Sequence, residues 1–299
     1  QHKFGALDLI RAGLQDLDKA RTLFDELHND GIDDDRMRLL LTTLEKACDP
    51  DVALSNLVDI IKVVQSQGED FTNIIADENS FIRLITVLGV SDEMGKLMRF
   101  RPELVEAAAN DACESHLYNH EQRRAHVLKS VGADPNDHTM PTASLPLAEA
   151  ATALRKTYRK QLAAIMAQDA TANDPITIQP RISTELSDLA DAALEGALAI
   201  ARHEVDGSEH VRFAIIGMGK LGAQELNYVS DVDLIYVVEP ADADTNGMTL
   251  SRVGTKMATT LQRVCQSVIM GVAEPTLWQI DGGLRPEGKD GPLVRRLES

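Results

Sequence analysis

The chain has 299 residues, of which 43% are hydrophobic, and this length and composition predict about two domains with sizeable cores. Its 30 basic and 47 acidic residues give a formal net charge of −17, which argues against a nucleic-acid-binding surface because such surfaces carry a basic footprint. No apolar run reaches the roughly 20 residues of a membrane span, and the polar start shows no signal peptide, so we expect a cytoplasmic protein with no membrane partner. The start at Gln1 and the end at Ser299, soon after a motif, suggest an excised portion of a longer protein.

The first 130 or so residues carry the pattern of consecutive amphipathic helices. Asp49 before Pro50 indicates one helix start, and Ser80 and Ser91 are predicted to cap two later helices. The pattern predicts an all-helical bundle or short solenoid without an exact internal repeat. The apolar positions after Asp49 recur at helical spacing at Leu54, Leu57, Val58 and Ile61.

Three histidines near the end of this helical region suggest a metal site. His116 and His120 are four residues apart and would share a helical face, with His126 close behind. However, Leu117 stands where the catalytic H-E-x-x-H pattern has glutamate, and histidines beside arginines are more often surface residues than ligands. We therefore give the metal interpretation little weight.

Residues 131–146 are rich in glycine, proline, aspartate and serine, and they read as a loop or linker. We therefore predict a helical leader domain at residues 1–146 and a second domain at residues 147–299 that opens with two helices. The second of these helices is predicted at about residues 183–203, with an inward face formed by Leu186, Leu189, Ala193 and Leu198.

A basic stripe runs along the first helix of the second domain, beside an apolar face. Two interpretations stay open for it: a solvated face with some charge repulsion, or a wall of an active site that meets phosphate or an acidic partner. The stripe consists of Arg155, Lys156, Arg159 and Lys160.

A strand, a glycine turn and a short helix follow at residues 213–222. The apolar run 213–216 predicts a buried strand. The three glycines after it, Gly217, Gly219 and Gly222, let the backbone approach a ligand closely, and the N–H groups of a helix that starts near Lys220 would face that ligand. The turn therefore predicts a phosphate site, to which Lys220 would add a positive charge.

A second strand opens with Ser230, Asp231, Val232 and Asp233. Asp231 and Asp233 stand at i and i+2, so both carboxylates leave the same face of the strand. At a separation of ~4 Å and an effective dielectric constant of ~20, their repulsion would be about 4 kcal/mol. Either one carboxyl holds a proton, or a divalent cation bridges the pair to phosphate oxygens, and the adjacent turn favours the cation.

The same glycines also match the dinucleotide fingerprint G-x-G-x-x-G, with Glu239 near the place of a ribose-binding acid. We reject this interpretation for two reasons. The segment between Gly222 and Asp231 is too short for a comfortable crossover helix, and a dinucleotide site would leave the two aspartates without a role.

The chain continues with a predicted long helix that ends at Gly271 and a predicted strand at residues 276–281 that delivers a third carboxylate, Asp281. Arg285 follows in a loop. The inward face of the helix is predicted at Leu250, Val253, Met257, Leu261, Val264 and Val268.

The chain resembles the glutamine synthetase adenylyltransferase family of bifunctional adenylyl-transferring and adenylyl-removing enzymes, within the DNA polymerase beta-like nucleotidyltransferase superfamily. The resemblance covers nearly the whole chain. It rests on three separated motifs, LRKTYRKQ, GMGKLGAQELNYVSDVDLIYV and WQIDGGLRPEGKDGPLVR.

This resemblance implies an α+β fold, mostly α, in which the helical leader packs on a small nucleotidyltransferase domain with a mixed sheet. It implies two Mg²⁺ ions as cofactors, with ATP, ADP and phosphate as substrates or products. The implied catalytic and metal-binding residues are Asp231, Asp233 and Asp281, and the implied nucleotide-binding or phosphate-binding residues are Gly217, Gly219, Lys220, Gly222, Ser230 and Arg285. Where many relatives have a further arginine, this chain has Gly282 and Gly283, so a phosphate contact from that position is lost.

The resemblance is to the N-terminal half of the family, which removes AMP from a tyrosine of glutamine synthetase by phosphorolysis and so regulates nitrogen assimilation. Glutamine synthetase would be the protein substrate, and a P-II signal protein is a candidate partner. Two alternatives stay open: addition of AMP from ATP, in which Asp281 would deprotonate the tyrosine, and a catalytically silent module that only binds these proteins.

Overall fold

Helices make up most of the chain. The computed structural model describes residues 4–68, 70–71, 77–110, 118–243, 245–284 and 288–297. No helix within these ranges is both long enough and apolar enough to cross a membrane. The helices are α1 (Ala6–Arg11), α2 (Leu17–Asn29), α3 (Asp34–Leu44), α4 (Pro50–Ser66), α5 (Glu78–Val90), α6 (Asp92–Met98), α7 (Pro102–Ala109), α8 (His120–Ser130), α9 (Leu147–Ala170), α10 (Pro175–Glu204), α11 (Gly219–Gly222) and α12 (Gly247–Gln266).

Four strands form one mixed sheet: β1 (Val211–Gly217), β2 (Val232–Pro240), β3 (Ile280–Asp281) and β4 (Val294–Arg296). β1 pairs antiparallel with β2, and its last residue, Gly217, lies opposite Leu234. Both β3 and β4 pair in parallel with β2, β3 at residues 232–233 and β4 at residues 236–238. The predicted fold class, α+β and mostly α with a mixed sheet, is confirmed.

The chain folds into two compact units that interleave along the sequence. The first contains Gln1–Leu117 and Lys160–Ile178, and the second contains Tyr118–Arg159 and Gln179–Ser299. Helices α9 and α10 therefore each contribute residues to both units. The predicted domain boundary between residues 146 and 147 stays a prediction.

Helix capping in the first unit follows side-chain chemistry, with one correction to the prediction. The Asp49 carboxylate accepts a hydrogen bond from the Val52 amide, and Ser91 caps α6 as expected. Ser80, by contrast, is not a cap: Asp77 caps α5, its carboxylate accepts from the Ser80 amide at 2.8 Å, and Ser80 is buried. Since both residue types favour the capping position, their local pattern left the start of this helix ambiguous by three residues. The predicted inward residues of α4, Leu54, Leu57, Val58 and Ile61, are all buried.

In the second unit, α12 covers the sheet, and it ends earlier than predicted. Its residues Leu250, Val253, Met257, Leu261 and Val264 are buried as expected. The helix stops at Gln266 rather than Gly271, and the side chain of Val268, expected to face inward, is 91% exposed.

Candidate functional site

The turn between β1 and α11 is shaped by close backbone approach at two glycines. Gly219 has a left-handed φ of +53°, and a Cβ at this position would collide with a carboxylate oxygen of Asp233. A Cβ at Gly222 would collide with the carbonyl oxygen of Gly217. The amide of Met218 donates to the backbone carbonyl of Asp233 at 2.8 Å, which ties the turn to β2. Only glycine therefore permits the turn to lie against this carboxylate.

Two of the three predicted carboxylates are brought together by strand pairing. Asp233 is the second residue of β2, and its partner in the parallel register is Asp281, the last residue of β3. Neighbouring strands lie about 4.8 Å apart, and paired positions point to the same face of a sheet. Asp231 lies one residue before β2, so its i, i+2 spacing from Asp233 is preserved at the same end of the sheet. Asp233 is half-buried, whereas Asp231 and Asp281 are exposed.

The loop before Asp231 is held by Asn227, a residue of the central motif to which sequence analysis assigned no structural role. The side-chain oxygen of Asn227 accepts hydrogen bonds from the Val229 amide at 3.2 Å and from the Ser230 hydroxyl at 2.6 Å. Such side-chain-to-backbone turns are a common role of asparagine, but composition alone does not identify which asparagine forms one. Lys220 is exposed at the turn, and Arg285 lies outside the described residues.

Strand direction excludes the dinucleotide interpretation. A dinucleotide fold needs β1 and β2 to be parallel and joined by a crossover helix, whereas they are antiparallel here and α11 spans only four residues. Glu239, the candidate ribose-binding acid, pairs with Arg212 at 3.0 Å instead. The rejection of this interpretation is confirmed.

Neither interpretation of the basic stripe fits its arginines. Arg155 is 1% exposed, and it donates to the backbone carbonyls of Val264, Ser267 and Glu274 at 2.7–3.2 Å. Arg159 is also buried, and it donates to the carbonyl of Thr276 at 2.6 Å. They are thus neither solvated nor part of a wall facing a ligand, because a buried guanidinium finds its partners in backbone carbonyls. Lys156 and Lys160 are exposed, in agreement with the solvated interpretation.

The segment that leads into β3 receives further support from side chains. The indole N–H of Trp278 donates to the Tyr158 hydroxyl at 3.1 Å, and burial raises the pKa of Tyr158 to about 12. The side-chain oxygen of Gln266 accepts from the Ile280 amide at 2.7 Å. After the strand, the Gly283 amide donates to the Asp281 carboxylate at 2.6 Å, and this hydrogen bond orients the third predicted carboxylate.

A cavity of about 610 Å³ lies along β1 within the second unit. Its walls come from α8, α10 and β1, which are distant in sequence, so no local pattern indicated it. The lining includes His120, Asp191 and Arg202 together with Gly217, Leu221 and Gly222 of the turn. The cavity therefore reaches the glycine turn from the side of α10.

Within the described part of the chain, only His120, Asp188 and Asp191 bring three metal-binding side chains within 4.8 Å of one another. The His120 Nδ1 atom lies 3.3 Å from an Asp188 oxygen, and burial raises the pKa of Asp191 to about 6. These residues could hold a cation, yet an imidazole paired with a carboxylate also accounts for them. His126 contacts the Tyr118 hydroxyl at 3.0 Å, and His116 lies outside the described residues.

β1 and β2 form an antiparallel pair joined through the glycine turn and α11, and Asp231 and Asp233 lie at the start of the second strand. The family model for glutamate-ammonia ligase adenylyltransferase (GlnE) matches residues 81–299, and the chain belongs to this family.

Relatives over the whole chain carry the name bifunctional glutamine synthetase adenylyltransferase/adenylyl-removing enzyme. A protein of Bifidobacterium longum (strain DJO10A) is 72% identical over 297 residues, which are 99% of this chain and 28% of that protein. A protein of Cutibacterium acnes is 36% identical over 98% of this chain and 29% of its own length. A protein of Streptomyces avermitilis is 33% identical over 97% of this chain and 27% of its own length. The chain thus spans somewhat more than a quarter of the length of these relatives.

Proposed function

We propose that this chain belongs to the adenylyl-removing half of a bifunctional glutamine synthetase adenylyltransferase. It would take AMP from an adenylylated tyrosine of glutamine synthetase, transfer it to inorganic phosphate and release ADP. The observation that carries the proposal is the pairing of Asp233 with Asp281 beside the glycine turn, within a chain of this family.

The carboxylate edge fits Mg²⁺ by its donor set. Mg²⁺ prefers oxygen ligands, and in phosphate-transfer sites it uses one or two carboxylates together with substrate phosphates and water rather than a closed protein cage. Asp233 and Asp281 on paired strands, with Asp231 at the same end of β2, form such an open set and would hold the metal. When bound, Mg²⁺ would neutralise negative charge on the transferred phosphoryl group.

The remaining residues would bind and orient the nucleotide. The backbone of the turn at Gly217, Gly219 and Gly222 would approach the phosphates, and Lys220 would add a positive charge beside them. Ser230, in the loop that Asn227 orders, would bind nucleotide or phosphate.

In the removal reaction, an oxygen of inorganic phosphate attacks the phosphorus of AMP. A phosphoanhydride bond forms, and the bond between phosphorus and the tyrosine oxygen breaks. The tyrosine oxygen then takes up a proton, because its pKa near 10 lies well above neutral pH. Phosphate is already an anion, so no side chain has to act as a base in this direction. This chemistry alone does not decide the direction, and the resemblance of the GMGKLG turn to the removing half favours removal over addition.

The direct test incubates the chain with Mg²⁺, inorganic phosphate and adenylylated glutamine synthetase, and follows ADP formation and loss of AMP-tyrosine. Asp231→Asn is the site variant. Asp206→Asn is the matched control, because Asp206 is also exposed and lies before the opposite end of β1 from the turn.

Phosphate-dependent ADP that disappears in Asp231→Asn and persists in Asp206→Asn is the expected result. AMP transfer from ATP onto unmodified glutamine synthetase, without ADP formation from the adenylylated form, would reverse the proposed direction. Binding of glutamine synthetase without either activity would favour a silent module. Recognition of a P-II signal protein stays a prediction that the same preparation can address.

A further inference from the structure

One buried side chain of α9 contacts the connection between α12 and β3 at three backbone carbonyls. Arg155 makes four hydrogen bonds to three backbone carbonyls, those of Val264, Ser267 and Glu274. The last carbonyls of a helix have no partner within the helix, and a cation at a helix C-terminus interacts favourably with the helix dipole. The guanidinium of Arg155 therefore satisfies carbonyls at the end of α12, where the chain turns away after Gln266.

The next turn of α9 continues the same set of contacts along the connection. Arg159 donates to the carbonyl of Thr276, and the Tyr158 hydroxyl accepts from the indole of Trp278. We call Arg155, Tyr158 and Arg159 the clamp. Its contacts advance along the connection from residue 264 to residue 278, two residues before β3 begins.

The register of β3 depends on where this connection ends. The carbonyl of Gln279, directly after Trp278, accepts from the Val232 amide at 2.9 Å, and Asp281 then lies opposite Asp233. A slip of one residue in a strand moves every side chain to the opposite face of the sheet. With only two residues, β3 has little pairing of its own to prevent such a slip.

We propose that Arg155 is a positioning residue for the third carboxylate: through the clamp it fixes the register of β3 and so holds Asp281 beside Asp233. Arg159 supports the same register through Thr276. The proposal rests on the proposed function insofar as it assigns Asp281 to the metal site. The placement of β3 by Arg155 is independent of that function.

Lysine should not replace Arg155. The guanidinium presents five N–H groups in a fixed plane and reaches three carbonyls at once, whereas an ammonium acts as a single point donor. Arg155→Lys is therefore expected to retain the buried positive charge and lose most of the hydrogen bonds to the three carbonyls.

The chain offers a matched control in Arg123, another buried arginine of the second unit. Arg123 is fully buried and pairs with Glu185 at 3.0 Å on α10, away from the connection between α12 and β3. Arg123→Met removes a buried arginine from the same unit without touching the clamp, so it reports general destabilisation alone.

Two readouts separate positioning from stability in Arg155→Lys, Arg155→Met, Arg159→Met and Arg123→Met. The first is the Mg²⁺ concentration that gives half-maximal ADP formation. The second is acrylamide quenching of fluorescence from Trp278, the single tryptophan of the chain. Both are measured at a temperature where circular dichroism shows each variant folded.

For Arg155→Met and Arg155→Lys we expect the half-maximal Mg²⁺ concentration to rise about tenfold or more, in line with the loss on removing groups that orient metal ligands. Quenching of Trp278 should rise as well. Arg159→Met should change the half-maximal Mg²⁺ concentration and the quenching by smaller amounts, and Arg123→Met should change neither. If Arg155→Met does not fold, Arg155→Lys and Arg159→Met carry the test.

Unchanged Mg²⁺ dependence and unchanged quenching in folded Arg155 variants would overturn the proposal. An equal shift in Arg123→Met would overturn it too, by reducing the effect to general stability. If the unsubstituted chain shows no ADP formation, the proposed function fails, and the quenching comparison still decides whether Arg155 fixes the approach to β3.

Discussion

The glycine turn and the clamp meet at the same pair of aspartates, but they are built in opposite ways. The turn presents Asp233 through backbone geometry within about 20 residues, with exposed neighbours and a short helix. The clamp supports Asp281 through buried side chains whose carbonyl and indole partners lie 109 to 120 residues further along the chain. The two regions therefore have different tasks. The turn places backbone groups and Asp233 at the surface, and the clamp fixes the strand register that brings Asp281 beside them.

The largest expected effect comes from removing one carboxylate at the centre of the comparison. Asp233→Asn should lower the rate of ADP formation by about 10³-fold, roughly 4 kcal/mol of activation free energy, because a metal-binding charge is lost. The thermal midpoint should stay within a few degrees of the unsubstituted chain, since repulsion between neighbouring carboxylates falls. The rate of ADP formation and a thermal melt measure these two effects. An unchanged rate would show that Asp233 is not part of the site.

A substitution at Gly219 tests whether activity requires the close approach of the turn to Asp233. Gly219→Ala adds a methyl group that meets the carboxylate and strains a left-handed backbone, so ADP formation should fall roughly tenfold or more and stability by about 1–2 kcal/mol. Gly68→Ala is the control, because Gly68 has a φ of +78° and nothing within 4 Å of the added Cβ. Urea unfolding should show the cost of backbone strain in both variants and a larger loss in Gly219→Ala, and only Gly219→Ala should lose activity. Equal activity in both variants would contradict the close approach.

A smaller effect is expected at the aromatic end of the clamp. Tyr158→Phe leaves the indole N–H of Trp278 without its hydroxyl partner while keeping the ring contact, and should cost about 1 kcal/mol of stability. Activity should fall less than in Arg155→Lys. A urea midpoint shift with an unchanged slope would agree with this expectation. A loss of activity as large as that of Arg155→Lys would transfer the main positioning role to the tyrosine.

The smallest effect concerns a pair outside both regions. The Asp242 carboxylate, 2.7 Å from His210 Nδ1, raises the pKa of His210. This pair should therefore stabilise the fold fully below the unfolded pKa of about 6.5 and lose its contribution as the pH rises through the raised value. His210→Gln should reduce stability slightly at pH 5.5 and not at pH 8.5, measured by urea unfolding. A difference that grows toward high pH would have the wrong sign.

Sequence patterns predicted those parts of the molecule that depend on neighbouring residues. The glycine turn, the two aspartates at the start of β2 and the inward face of α4 are all local, and the structure places the turn against Asp233. The role of Arg155 could not be predicted, because its periodicity resembled a solvated stripe and its partners are backbone carbonyls, which any sequence can supply. The end of α12 was predicted five residues too late, because the contacts of Arg155 with the carbonyls at that end leave no pattern in the sequence.

Binding of Mn²⁺ with ADP, followed by electron paramagnetic resonance, tests the central claim most directly, since it requires no protein substrate and no assigned direction. Mn²⁺ takes the same oxygen ligands as Mg²⁺. The unsubstituted chain and Asp206→Asn should bind Mn²⁺ more tightly when ADP is present, and Asp233→Asn should lose most of that binding. If Asp233→Asn binds Mn²⁺ and ADP as well as the unsubstituted chain, the carboxylates beside the glycine turn are not the metal and nucleotide site.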